Sequence, residues 1–333
     1  NFFSICHSYS SIIKTKLFYP KILKLNRLAI IIWIVNILVM FNVKKVADEQ
    51  ANVGEGPLWD DESQLLYWAD IRSGRLFEYN PKTGENTTIY TGIYVGGFSK
   101  NSLGGLTLGT WNGVLLWESN RKKRWIHQGT YKGEKLQFND CIAAPDGSFL
   151  AGTFYPSNVL GYEKTGSLYR FYPNGDVDIV SENHGCSNGM GFSPNLDYFY
   201  HSDPAKGKIV RHPYNSETHE IGNAEEWYEH KDAGGPDGMT VDSEGYVWSA
   251  IWGGSGVIRI DPNGNITEKI SIDAYQTSSC MFGGSSLKDL YVTSAATPDN
   301  LANVEKGTYL GGSLFEVSTN FKGKLEFETK FEF

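Results

Sequence analysis

The chain has 333 residues, 40% of them hydrophobic and 20% charged, with a formal net charge of −8. That apolar content excludes a disordered chain, and the acidic balance excludes a protein that grips a nucleic-acid backbone with a basic face. Thirty-seven glycines and an aromatic content of 14% favour short strands over helices.

In chain order, the first segment stands apart. Residues 1–39 hold no Asp or Glu but carry Lys14, Lys16, Lys21, Lys24 and Arg27. The run 28–41 is apolar except for Asn36, and its 14 residues fall short of the roughly 20 that a membrane-spanning helix needs. No small-x-small cleavage site follows, and Lys44 and Lys45 come next. We therefore expect residues 1–39 to lie outside the folded body, as translated upstream sequence, with Met40 as the start of the working protein. A secretory signal or anchor and a structured extension are the alternatives. The intact mass of the natural protein separates them.

From residue 40 onward a repeat runs to the end. A glycine opening an aliphatic strand recurs at Gly74, Gly113, Gly166, Gly207, Gly256 and Gly312, at intervals of 39, 53, 41, 49 and 56 residues. A second apolar run precedes each glycine, at 66–71, 106–111, 149–154, 198–203, 247–252 and 290–295. Turn signals such as Pro145-Asp-Gly147, Asp242-Ser-Glu-Gly245 and Asp261-Pro-Asn-Gly264 lie between runs. Periods near 40–50 residues with short strands predict an all-β, six-bladed propeller over 40–333, its chain ends sharing a blade.

The repeat also aligns polar residues. Glu55, Asn188 and Asp237 each stand 19 residues before their blade's glycine. Asn139 stands 27 before Gly166, but 10 before the second run at Phe149, as Asn188 and Asp237 stand 10 before theirs. Equivalent positions on the innermost strands of a propeller converge on its channel, so these four residues are expected to meet at one end of it. Two carboxylates and two amide oxygens are hard donors suited to one divalent ion, Ca²⁺ or Mg²⁺, with Mn²⁺ or Zn²⁺ also admissible. Gly54, Gly56, Gly189 and Gly238 beside them permit close backbone approach or positive φ. Taken singly, each Asn-Gly or Asp-Gly is an ordinary hairpin turn; it is the shared register that argues for a site.

These residues carry a resemblance. Gly54-Glu-Gly-Pro-Leu-Trp59, Phe138-Asn-Asp140, Ala151-Gly-Thr153, Ser187-Asn-Gly-Met190, Pro236-Asp-Gly-Met239 and Thr277-Ser-Ser-Cys-Met-Phe-Gly-Gly284 resemble the senescence-marker-protein/regucalcin/gluconolactonase family. Its insect branch of luciferin-regenerating enzymes and regucalcin-like proteins is similar too. The resemblance implies a propeller with one divalent metal held by Glu55, Asn188 and Asp237. It also implies a substrate-facing Asn139 with Asp140 beside it, and hydrolysis of a lactone; some members are described as calcium-handling proteins. Two positions depart from the gluconolactonase pattern. Gln137 stands where those members carry Arg, and Ser157, in the stretch 154–158, is nearest to their acidic substrate contact. A guanidinium and a carboxylate supply directional hydrogen bonds to a polyhydroxylated ring, so the preferred lactone is expected to be less hydroxylated or more apolar.

Other chemistries lack their signatures. The seven histidines form no H-x-x-x-H or H-x-E pattern and no G-x-S-x-G elbow occurs. Cys6, Cys141, Cys186 and Cys280 are dispersed without C-x-x-C, which reads as free thiols in a reducing, cytoplasmic compartment. Trp59, Trp68, Trp111, Trp248 and Trp252 are expected to pack blades. Two functions remain. One is a metal-dependent hydrolase of a small lactone or ester, with Asp237 or Asp140 as base and Asn139, Gln137 and Ser157 facing substrate. The other is a Ca²⁺-binding regulator without turnover. Neither needs nucleic acid or stable membrane insertion.

Overall fold

A computed structural model describes residues 41–119, 121–157, 162–296 and 311–333. The expectations for residues 1–39 and for Met40 lie outside the described residues.

Residues from Asn42 onward fold as one unit of strands. Six four-stranded antiparallel sheets follow one another as the blades of a propeller. Their innermost strands are Gly54–Asp60, Val95–Lys100, Phe138–Ala143, Met190–Phe192, Gly235–Val241 and Thr277–Gly283. Each touches the next, and the last returns to the first, so the ring closes around a channel. The second strands begin at Leu65, Leu106, Phe149, Tyr198, Val247 and Asp289, each within one residue of the start read from hydropathy. The repeat glycine marks the turn into the third strand. At Gly74, for instance, φ is +62°, a conformation only glycine adopts without strain.

The chain ends share the sixth blade. Asn42–Asp48 is its outermost strand, antiparallel to Ser313–Ser318, which pairs with Asp289–Ser294. Joining a first strand to the last blade leaves the ring no free seam.

Apolar side chains alternate along the strands and fill the spaces between blades. Leu58, Leu76, Phe98, Leu108 and Trp117 pack blades 1 and 2 together, and Met190, Phe192 and Phe199 pack blades 3 and 4. Trp59, Trp68 and Trp248 are buried as expected, whereas Trp111 and Trp252 are half-buried. The reason is position: Trp252 ends a second strand and Trp111 follows one, at the rim where the blade cores stop. Trp111 meets Tyr94 edge to face with ring centroids 4.7 Å apart. Among the described residues no helix is long and apolar enough to cross a membrane.

The last fifteen residues run across the other rim. The Lys322 carbonyl accepts from Ser243, Gly323 donates to the Leu287 carbonyl, Lys330 donates to Gly147, and the Thr329 carbonyl accepts from Ser102. All four partners follow the ends of inner strands, and Phe331 is buried in the core between blades 2 and 3.

Candidate metal centre

The inner strands begin at the rim opposite that tail, and almost every one is irregular there. Pairing with the second strand slips between Glu55 and Leu58, Val95 and Gly97, Phe138 and Asp140, Pro236 and Met239, and Thr277 and Ser279. A bulge bends a strand and re-aims the side chain it carries. Here it turns side chains from the blade faces toward the channel. In blade 4 the strand starts late, at Met190, and Asn188 and Gly189 precede it, tied to Ser202 by backbone hydrogen bonds of 3.1 and 2.9 Å.

Glu55, Asn188 and Asp237 are buried at these positions, 4%, 4% and 2% exposed, and Asp140 lies beside them, partly open to the channel. The carboxylates feel one another. Burial, then Asp237 and Asp140, hold Glu55 well above the usual carboxylate range. Burial, then Asp140, does the same to Asp237. Burial pushes Asp140 up to about 7, against the opposing effect of the Cys141 N–H that donates to its Oδ1 at 2.7 Å. None of the ion pairs among the described residues involves these three. Three acids converge with no cation to offset them.

Two oxygens in this cluster are buried without a partner, Oδ1 of Asn188 and Oδ1 of Asp237. Both are acceptors, so neither can satisfy the other; a cation satisfies both. Among the described residues no three acidic, histidine or cysteine side chains gather closely enough to chelate an ion alone. The set reaches three donors only with the Asn188 amide. An oxygen-only set of two carboxylates and one amide fits a hard divalent ion that keeps water in its shell.

The flanking glycines behave as their positions suggest. Gly56 has φ +55°, and a Cβ on Gly189 would stand 2.2 Å from the Asp237 carbonyl oxygen. Blades 2 and 6 supply no acid: their equivalent places hold Gly96 and Ser278. The Ser278 hydroxyl donates to the Gly54 carbonyl at 2.5 Å, fixing the peptide that precedes Glu55. Below the cluster a cavity of about 40 Å³ runs down the channel from Gly56 and Asp140 to Glu326 and Phe327 of the tail.

The substrate-side expectations fare unevenly. Asn139 is half-buried, its amide donating toward Cys186 Sγ at 3.5 Å and the Ser187 carbonyl at 3.4 Å. Gln137 is buried just before blade 3's inner strand, and its side-chain oxygen accepts from Lys135 at 3.1 Å. Ser157 ends the described part of the next loop, and Asn158 lies outside the described residues. No described contact joins Gln137 to the acid cluster. Sequence reasoning missed Cys186, whose sulfur accepts from Asn139 and Asn188; it precedes Asn188 by two residues, and no register argument singles it out.

The histidines belong elsewhere. His201 bonds Ser187 Oγ at 2.8 Å and meets His184 edge to face, within blade 4 and its contact with blade 3. Burial lowers His184 to about 4 and drives His201 well below its usual value, so both are neutral.

Residues 53–296 match the family described as SMP-30/Gluconolactonase/LRE-like region. A pentonolactonase of Haloferax volcanii is 32% identical over 296 residues, covering 86% of this chain and 98% of its own length. A regucalcin of Xenopus laevis is 30% identical over 76% of this chain and 86% of its own. A luciferin-regenerating enzyme superposes with a TM-score of 0.79 at 26% identity, covering 87% of this chain and all of its own.

Proposed function

The chain belongs to the SMP-30/gluconolactonase/LRE-like family, and on that premise we propose that it is a divalent-metal-dependent hydrolase of a small lactone. The observation that carries this reading is the convergence of Glu55, Asp140 and Asp237 with unpartnered oxygens on Asn188 and Asp237 and no cation. Relatives named pentonolactonase and 6-deoxy-6-sulfogluconolactonase support the substrate class.

Glu55, Asn188 and Asp237 would hold the ion, which is Ca²⁺ on the chemistry of these donors, with Zn²⁺, Mn²⁺ or Mg²⁺ as competitors. Once bound, it would act as a Lewis acid that polarises the lactone carbonyl. The chain's own residues do the rest. Asn139, at the open side of the ligand set, orients the substrate. Asp140 or Asp237 takes the proton of the attacking water and returns it to the ring oxygen as the ester bond opens, leaving a hydroxy acid. The channel below is too narrow for a sugar lactone and the tail closes its far end, so substrate arrives from the metal side. Free thiols at Cys141, Cys186 and Cys280 fit a reducing, cytoplasmic setting.

The Ca²⁺-binding regulator without turnover is the second reading, favoured by Gln137. That side chain is committed to Lys135 and offers no charged fork to a sugar. One assay separates the two. Metal-stripped protein is given Ca²⁺, Mn²⁺ or Zn²⁺ and a panel of sugar and apolar lactones. Metal-restored turnover, lost in Asp237→Ala together with ion binding, is expected; ion binding with no turnover of any lactone would establish the regulator.

A further inference from the structure

An amide has one oxygen and one NH₂, so the partner that takes the NH₂ decides where the oxygen points. At the candidate centre two amides share such a partner. Cys186 Sγ lies 3.5 Å from Nδ2 of Asn139 and 3.8 Å from Nδ2 of Asn188. With its NH₂ turned to the sulfur and to the Asp237 carboxylate, Asn188 presents an Oδ1 that is buried and unpartnered, as is Oδ1 of Asp237. Cys186 itself is held by its backbone: the Asp203 carboxylate accepts from the N–H of Gly185 at 2.8 Å and of Cys186 at 3.0 Å. The thiol is thus placed by a buried acid on the second strand of blade 4 and not by its own packing.

The other described cysteines show what a structural thiol looks like here. Cys141 is part of the core between blades 2 and 3, and Cys280 is buried with its thiol donating to the Trp248 carbonyl at 3.3 Å. Cys186 does neither. It is half-buried, its sulfur accepts from the two amides, and burial, then Asp237, Asp203 and Glu55, push its thiol up.

We propose that Cys186 is a positioning residue of the metal site: its sulfur is the acceptor that Asn139 and Asn188 share, and it helps to leave the Asn188 oxygen facing the ion. This rests on the metal site proposed above. Removing an outer partner of a ligand commonly lowers metal affinity about 10- to 100-fold. Cys186→Ala should weaken Ca²⁺ and Mn²⁺ by that factor in calorimetry, while the thermal midpoint of the metal-free protein stays unchanged. Cys186→Ser, which keeps an acceptor on a shorter bond, should fall between. In the wild type, peptide mapping after prolonged N-ethylmaleimide treatment at alkaline pH should show Cys186 modified, more slowly with Ca²⁺ present than without it, and the modified protein should no longer bind Ca²⁺.

A Cys186→Ala variant that binds both ions with wild-type affinity, or a Cys186-alkylated protein that still does, overturns the assignment. Wild-type protein that binds no divalent ion overturns the site and this inference together. Ion binding that depends on Cys186 without lactone turnover leaves the inference standing and removes only the hydrolase reading.

Discussion

Asp140 is a carboxylate held up to about 7 among acids, which suits a base working near neutrality. If it takes the proton of water, Asp140→Asn should lower kcat by roughly 10²- to 10⁴-fold with metal affinity largely kept. Full activity in that variant would assign the role to Asp237, whose replacement has to be read with ion occupancy measured alongside. His184→Ala and His201→Ala should retain turnover, because both rings are neutral and committed to hydroxyl partners. A second outcome follows from linkage. Raised carboxylates ionise first in the unfolded chain, so between about pH 4 and pH 7 the native state holds the extra proton and stability falls as pH rises. The buried histidines, with lowered values, act oppositely over much of the same range. A comparison of variants isolates the acid: in chelator, the thermal midpoint of Asp140→Asn should exceed wild type by a margin that is smallest near pH 4 and grows toward pH 7. A margin that does not change with pH would contradict it.

At the scale of elements, the bulged starts of the inner strands carry the site, and the regular remainder of each strand carries the fold. The same register explains why two blades contribute no acid: a Cβ on Gly96 would stand 2.2 Å from the Phe138 carbonyl oxygen, so no side chain fits there, and Ser278 braces the neighbouring blade. The strand Asn42–Asp48 has a different task, since it pairs with Ser313–Ser318 along six positions and shields the edge of blade 6. A protein beginning at Glu49 should therefore unfold at distinctly lower urea, because the edge of Ser313–Ser318 loses its partner and Phe315 and Leu314 lose cover. An unchanged urea midpoint would show that the seam closes without it.

For the whole molecule, the two rims are chemically unlike. One gathers acids, while the other is crossed by the C-terminal tail, with Glu326 bonded to Lys324 and to the Thr240 hydroxyl at 2.8 and 3.1 Å. Phe331 anchors the tail's end at 1% exposure, and the Asn101 side chain bonds its backbone N–H and carbonyl at 2.8 and 3.0 Å. Phe331→Ala should cost about 3–5 kcal/mol of folding stability, read from urea unfolding, and leave ion affinity unchanged because the site lies at the opposite rim. Weakened ion binding in that variant would mean that the tail shapes the site through the channel.

The sequence by itself determined the blade count, the second and third strands and the positions of Glu55, Asn139, Asn188 and Asp237. Each blade must alternate apolar side chains and turn at glycine, and both requirements are local and repeat at a readable period. The family motifs named the same residues. Tertiary structure alone decided which neighbours those residues meet. Asp237 and Asp140 raise Glu55, and Asp140 raises Asp237, only because three blades bring bulges to one point, and Cys186 reaches two amides only because Asp203 pins its backbone. Trp111 and Trp252 read as core by composition, yet one follows and the other ends a second strand at the rim, where both are only half-buried. The tail offered no period to detect, since its backbone bonds reach Ser102, Gly147, Ser243 and Leu287 in separate blades.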